Sequence, residues 1–168
     1  MYQIIGQTII FDWDFNQVPN NTILNDIASC DTIIFNDYDD LDTCLITNNK
    51  YDNKYRNKWK KSKFNRRLNN LPPTIRDLTF GYWFSKRSDN LPNSIINLTL
   101  GDGFNQCLDN LPSSINKITF RILWNDFTEF RKEIKKIPKN LTIVDISKAP
   151  NNSDLKKQFE KFNVEIIE

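Results

Sequence analysis

Histidine is absent from the 168-residue chain, which also has only four glycines, three cysteines and two alanines. Without histidine there is no Ser-His-Asp or Cys-His catalytic arrangement and no histidine metal ligand. Four glycines are too few for the full glycine-rich phosphate-binding motifs. Cys30, Cys44 and Cys107 lack metal-ligand spacing, and we interpret them as small buried hydrophobic residues. We therefore expect a protein that is not an enzyme and needs neither cofactor nor metal.

Long hydrophobic runs are also missing. No apolar segment approaches the roughly 20 residues that a membrane-spanning helix requires. Residues 1–7 have neither the positively charged region nor the cleavage site of a secretory signal. These absences predict a cytoplasmic protein that does not bind membranes.

Charge is unevenly distributed along the chain, although the net charge is only +2. Residues 1–50 contain eight aspartates and a single lysine, whereas residues 51–168 carry an excess of basic side chains. Such an asymmetry affects partner binding rather than the fold, because complementary charges steer association.

A repeat of 20 residues is the strongest pattern in the sequence. Segments beginning at Leu71, Leu91 and Leu111 share the pattern Leu-Pro-x-x-Ile-x-x-(Leu/Ile)-Thr-(Phe/Leu). A fourth copy begins at Ile137, and weaker copies lie nearer the amino terminus. Between copies, an aromatic residue is followed by a polar one, usually asparagine, as in Phe64-Asn65, Phe84-Ser85, Phe104-Asn105 and Trp124-Asn125. Several positions recur together, so the pattern is specific.

A unit of this size cannot bury its own apolar face, and stacked units sharing one core are therefore expected. The alternation Leu78-x-Phe80 predicts one short strand per unit, with the intervening threonine facing outward. The predicted fold is a leucine-rich-repeat-like solenoid of six or seven coils over residues 1–168, most regular in 64–146. It has one curved sheet of parallel strands and a loop-rich convex side. The asparagine after each aromatic is expected to bond turn backbone.

Two segments are predicted to be helical. Apolar residues recur every three or four positions after Asp126, which indicates a helix near 127–136. Ser153 can cap a second helix near 153–162, with a final strand after it. This second helix belongs to a carboxyl-terminal cap over 147–168, because a solenoid must cover its last apolar surface.

The pattern Leu-Pro-x-Ser-Ile-x-x-Leu-Thr-Phe-Gly followed by Phe-Asn-Gln, clearest over residues 64–120, resembles the FNIP repeat of social amoebae and giant viruses. The resemblance implies a protein-interaction solenoid, acting in the host cytoplasm if the chain is viral. In that family the repeats often follow an F-box that recruits a ubiquitin ligase. Here the repeats begin by about Ile9, so we expect the binding surface without the ligase-adaptor role.

The main functional hypothesis is a non-catalytic scaffold that binds another protein, such as a host protein, on the sheet face. The candidate partner-binding residues are repeated outward positions and their flanks: Ile10, Ile34, Asp77, Thr79, Tyr82, Asn97, Thr99, Asp102, Lys117, Thr119, Arg121 and Asp145.

A basic segment supports the alternative hypothesis, a nucleic-acid-binding module. Within residues 51–67, Tyr55, Trp59 and Phe64 are interleaved with eight cations: Lys54, Arg56, Lys58, Lys60, Lys61, Lys63, Arg66 and Arg67. Cations contact phosphates and aromatic rings stack on bases. No nucleic-acid-binding motif accompanies this basic strip, which favours a solvated face of one coil instead.

Two groups of aspartates are candidates for metal or acid/base sites. Residues 37–42 contain four aspartates but lack the central glycine and distal glutamate of a calcium loop, so a solvated acidic turn is predicted. Asp12 and Asp14 align with Gly101 and Gly103, which assigns them to a turn.

Overall fold

The computed structural model describes residues 1–37, 61–122, 132–149 and 153–168. Within them, eight strands form one sheet in sequence order. The strands are β1 (Tyr2–Ile5), β2 (Thr8–Phe11), β3 (Thr32–Phe35), β4 (Asp77–Thr79), β5 (Asn97–Gly101), β6 (Lys117–Arg121), β7 (Ile143–Lys148) and β8 (Glu165–Ile167). Neighbouring strands from β2 to β8 pair in parallel, which confirms the predicted leucine-rich-repeat-like solenoid.

The repeat sets the register of the sheet. Leu78 pairs with Leu98, and Leu98 pairs with Ile118, so the same repeat position falls in line on successive strands. All three side chains are buried. Because neighbouring strands lie about 4.8 Å apart, each coil adds one layer of apolar side chains to a shared core.

Phenylalanine rings stack along the core beside the sheet. The ring centroids of Phe80 and Phe84 are 3.5 Å apart, and those of Phe35 and Phe64 are 3.8 Å apart. Phe84 also stacks on Phe104 of the next coil, at 6.2 Å and an interplanar angle of 9°. Each coil therefore covers the rings of its neighbours, as a solenoid requires.

Short polar side chains join the turns of successive coils. Asn16 Oδ1 accepts a hydrogen bond from the backbone N–H of Asn65 at 3.1 Å. Asn65 Oδ1 in turn accepts from the backbone N–H of Ser85 at 3.0 Å. For Asn16 and Asn65, these bonds confirm the predicted role of the asparagine after an aromatic, because they satisfy backbone donors inside the stack.

The amino-terminal end differs from the predicted all-parallel sheet. β1 pairs with β2 in antiparallel fashion through a tight turn at Gly6, whose φ of +59° is typical of the first position of a type II′ turn. Helix α1 (Asn21–Ala28) was not predicted. Asn20 caps it by accepting from the backbone N–H of Ile23 at 3.0 Å, and Ile23 and Ile27 pack into the core. This helix lengthens the first coil.

The carboxyl-terminal end carries the predicted cap. Helix α2 (Ser153–Glu160) buries Leu155 and Phe159 against the last coils, and β8 follows it. The helix predicted near 127–136 falls mostly outside the described residues, and its described part, 132–136, is not helical. There Ile134 donates its backbone N–H to the side-chain Oε1 of Gln158 instead of a helical carbonyl, so this part of the prediction is wrong.

The coil that contains β3 is the longest. β3 and β4 are direct neighbours in the sheet, although Thr32 of β3 pairs with Asp77 of β4. Asp37 lies just after β3, and the backbone N–H of Ser62 donates to its Oδ1 at 3.0 Å. The segment from Ser62 onward therefore completes the coil that β3 begins. The sequence left open the register of residues 45–63, and this contact defines it from Ser62 onward.

The cysteines follow the prediction only in part. Cys30 is buried, whereas Cys107 is exposed on a turn, so the expectation of a buried side chain is wrong for Cys107. Cys44 lies outside the described residues. In the part of the chain that the structure describes, no helix has the length and apolar character needed to cross a membrane.

Replacing Phe104 with alanine tests the ring stack. The side chain is 4% exposed, so its removal leaves a cavity between coils, and we expect the free energy of unfolding to fall by about 3–5 kcal/mol. Urea unfolding followed by circular dichroism measures the loss. Phe104→Leu is the conservative control and should cost less than about 2 kcal/mol. A loss below about 1 kcal/mol for the alanine variant would contradict the stacking role.

Candidate functional site

The sheet face that points away from the core brings together predicted partner-binding residues from distant parts of the sequence. Sheet pairing aligns one residue from each of five consecutive strands: Ile34, Thr79, Thr99, Thr119 and Asp145. The alternation that turns the flanking apolar residues inward turns these side chains outward. We call Thr79, Thr99 and Thr119 the threonine column.

The threonine column is partly exposed and has hydrogen-bonding capacity to spare. Among the residues that the structure describes, its three hydroxyl groups have no hydrogen-bond partner. A hydroxyl group can donate one hydrogen bond and accept two. With strands about 4.8 Å apart, the column presents three such groups over about 10 Å. It can therefore bond polar groups of a molecule that lies across the strands.

A second row of side chains, Asp77, Asn97 and Lys117, flanks the threonine column on the same face. Its members already make a hydrogen bond or an ion pair within the protein. Asn97 Nδ2 donates to Asp77 Oδ1 at 2.5 Å, and Lys117 Nζ lies 2.9 Å from Asp145 Oδ2. Partial burial opposes ionisation of Asp145, but hydrogen bonds from Lys117 and Ser147 outweigh it and hold the pKa of Asp145 below its ordinary value. Asp145 is therefore a fixed anion, and the flank offers paired charges in set positions.

Three of the predicted partner-binding residues are buried, and their assignment to an accessible surface is wrong. Tyr82 lies in the turn after β4, where it is 2% exposed, between Lys61 and Trp83. Asp102 occupies the equivalent position one coil later and is 3% exposed. Ile10 lies on the outer face but between β1 and β3, and it is 4% exposed.

Arg121 is held by a buried carboxylate that the sequence placed in a solvated turn. Asp37 is buried, and its Oδ2 lies 3.6 Å from a terminal guanidinium nitrogen of Arg121. Its Oδ1 accepts backbone N–H groups of Ser62 and Tyr82, at 3.0 and 2.7 Å. The solvated-turn prediction is therefore wrong for Asp37, and residues 38–42 lie outside the described residues.

Glycine is required beside this carboxylate. A Cβ atom on Gly81 would lie 2.6 Å from Asp37 Oδ1, closer than real side chains approach. A Cβ atom on Gly101 would lie 2.6 Å from the carbonyl oxygen of Gly81. The two glycines keep this part of the face open, so Arg121 on β6 can reach Asp37 beyond β3.

Burial raises the pKa of Asp37. The positive charges of Arg121 and Lys61 and the two backbone donors oppose the rise without cancelling it. The carboxylate thus links the end of β3, the chain at Ser62, the turn after β4 and the end of β6. This arrangement orders one end of the face, and we assign Asp37 and Arg121 a structural role rather than partner contact.

The basic strip is only partly described. Lys54, Arg56, Lys58 and Lys60 lie outside the described residues. Lys61 Nζ lies 3.8 Å from the ring centroid of Tyr82, and Lys63 Nζ lies 4.5 Å from that of Trp13. Arg66 and Arg67 are exposed on the following turn. Of its described cations, Lys61 lies near Asp37 and the others lie on exposed positions of the next turn.

Trp83 is the exposed aromatic that the sequence interpretation missed. Half of its surface is exposed, at 50%, and its ring makes an edge contact with Tyr82 at 4.9 Å. The equivalent position in the next repeat is Gly103, which is a signal that Trp83 is not needed for stacking. Asp12 and Asp14 lie at the turn after β2, as predicted.

Comparisons with known proteins agree with the repeat. Residues 87–121 match the FNIP repeat family. A solved structure with similarity to this chain is that of CroV588, a giant-virus protein described as a novel circular LRR structure. Identity is 24% and the TM-score is 0.43, over 86% of this chain and 24% of that protein, so this chain spans about a quarter of its length. No curated protein matches significantly.

An Asp37→Asn variant tests the buried carboxylate. Because burial raises its pKa, the native state holds the Asp37 proton more tightly than the unfolded chain does. The contribution of Asp37 to the free energy of unfolding is therefore greatest at low pH, and it falls as the pH rises above about 4. We expect the free energy of unfolding of the wild type, minus that of Asp37→Asn, to decrease from about pH 4 to pH 7.

Urea unfolding at a series of pH values measures this difference. Asp14→Asn, at an exposed aspartate in the turn after β2, is the matched control. If the difference in free energy of unfolding between the wild type and Asp37→Asn stays constant or grows with pH, the raised pKa of Asp37 is contradicted.

Proposed function

We propose that this chain, an FNIP-repeat solenoid, is a non-catalytic scaffold that binds a partner protein on the outer face of its sheet. The supporting observation is the threonine column, whose three partly exposed hydroxyl groups are in register and have no hydrogen-bond partner among the described residues. Partly exposed hydroxyl groups bond water in the free protein, and a partner that lies across the column can replace those bonds with its own.

The shape and lining of the face favour a protein over a small molecule. Small-molecule sites are concave and mostly apolar. The column instead lies on an open run of parallel strands that extends from β2 to β8, about 29 Å at 4.8 Å per step. A surface of this length with polar groups at fixed intervals matches the extended binding surfaces of other solenoids.

Charge beside the column orients the partner. The Lys117–Asp145 pair stands next to Thr119, and the Asp77–Asn97 pair stands next to Thr79 and Thr99. Partly exposed charges of this type affect association rate and orientation more than affinity. Arg121 is not part of the proposed contact, because its guanidinium faces Asp37.

Substituting arginine for Thr99 tests the proposal. The long cationic side chain would stand at the centre of the threonine column and block a partner that lies across it, so we expect capture of the partner to fall at least tenfold (about 1.4 kcal/mol or more). Affinity capture with quantitative mass spectrometry identifies the partner, and interferometry with the purified partner measures Kd.

Thr74→Arg is the matched control, because Thr74 is exposed on the loop before β4 and away from the column. It makes the same chemical change and should leave Kd within about twofold. If a folded Thr99→Arg variant binds the same partner as tightly as Thr74→Arg does, the sheet face is not the binding surface.

A further inference from the structure

Two neighbouring turns carry a cluster of cations on the outside of the solenoid. The turns are joined by the backbone bond from Trp83 N–H to Ser62 O, at 3.3 Å, and by the bond from Ser85 N–H to Asn65 Oδ1, at 3.0 Å. These bonds place equivalent positions of the two turns side by side: Lys63 with Trp83, Arg66 with Lys86, and Arg67 with Arg87. We call these six residues the basic ledge.

Among the described residues, little negative charge pairs with the basic ledge. All six side chains are exposed. Within the described residues, Asp89 is the carboxylate that pairs with the ledge, at 2.8 Å from Arg87 Nε. Arg66 Nε donates to the neutral backbone carbonyl of Asn16, at 3.2 Å. The ledge thus places five cations and one half-exposed tryptophan on two adjacent turns.

The basic ledge is short. In the turn before it, the equivalent positions are Asp14, Gln17 and Val18, and in the turn after it they are Gly103, Gln106 and Cys107. The cations are therefore confined to two adjacent coils, which are separated by one strand spacing of about 4.8 Å. An anionic residue, Asp14, lies at one border.

We infer that the basic ledge binds an acidic segment of a partner protein. Arginine forms paired hydrogen bonds with carboxylates, and tryptophan and arginine are the residues that most often anchor protein interfaces. A short run of aspartate and glutamate side chains around one apolar residue complements cations on the same two turns as Trp83. Single-stranded nucleic acid instead requires a basic groove that follows many phosphates, with repeated stacking rings. The ledge ends after two turns, which is too short to follow a continuing phosphate chain.

This inference goes beyond the proposed sheet-face contact, because the ledge lies on the turns and not on the threonine column. A partner that contacts both surfaces gains affinity, since the second contact forms within the complex. The two contacts are separable by mutation, so failure of one leaves the other open to its own test.

The test uses the full chain and a fluorescently labelled synthetic peptide of aspartate and glutamate residues around one leucine. A second peptide, with asparagine and glutamine in place of the acids, and a single-stranded oligonucleotide of the same charge complete the set of probes. Anisotropy at low and moderate salt measures binding. We expect the acidic peptide to bind more tightly than both other probes, with an affinity that weakens as salt is raised.

The double variant Arg67→Glu with Lys86→Glu should weaken binding of the acidic peptide at least tenfold. Neither side chain makes a hydrogen bond or an ion pair with another described residue, so the change leaves the fold intact. Lys136→Glu with Lys139→Glu is the matched control, because it makes the same change of net charge at two exposed lysines elsewhere. It should leave the affinity within about threefold.

Trp83→Ala should lower the affinity for the acidic peptide severalfold. The salt dependence of binding should stay the same, because the ring contributes contact area rather than charge. Thr99→Arg, the sheet-face variant, should bind the peptide as the wild type does. The inference is overturned if the oligonucleotide binds more tightly than the peptide, if the acidic peptide does not bind at low salt, or if the two double variants bind it equally.

Discussion

Every coil of this protein depends on its neighbours to bury its phenylalanine rings. A unit of about 20 residues has one strand and two turns, which is too little chain to surround an aromatic side chain from all sides. The rings of Phe64, Phe84 and Phe104 are therefore covered by each other along the stack. The sheet register, the bonds between turns and the outward threonines all follow from this shared burial, because coils can pack their rings only when equivalent positions align.

Ends are the weak point of such a stack, and the protein closes them by different means. At the amino-terminal end, an antiparallel strand and a short helix cover the first layer, and the hydroxyl group of Tyr2 in β1 donates to a carboxylate oxygen of Asp26 in α1. At the carboxyl-terminal end, helix α2 places Phe159 against Phe120, with ring centroids 5.9 Å apart. The middle strands are thus protected from both sides, which leaves one face of the sheet for binding.

The fold was predictable where residues repeat. Recurring leucine, threonine and phenylalanine positions indicated the strands, the outward threonines and the stacked rings, and the residue after each aromatic indicated the bonds between turns. Helix α1 has a readable signal in Asn20 and the Ile23–Ile27 spacing, but one local helix is easily hidden in a degenerate repeat. For the candidate site, strand alternation was sufficient to place Thr99 outward, but it does not extend to Tyr82, which lies in the turn after β4. Asp37 was not predictable, because its burial depends on backbone donors 25 and 45 residues away.

The contact between Asp37 and Ser62 affects how the fold tolerates insertions and deletions between these two residues. It joins the chain just after β3 to the chain at Ser62, beside the pairing of β3 with β4, so two fixed points lie close together there. The entropy cost of joining two fixed points grows only with the logarithm of the connecting length, about 0.6 kcal/mol for each doubling. Chain can therefore be inserted or deleted between these points without shifting the register of the sheet. The solenoid thus tolerates a change of length at this position.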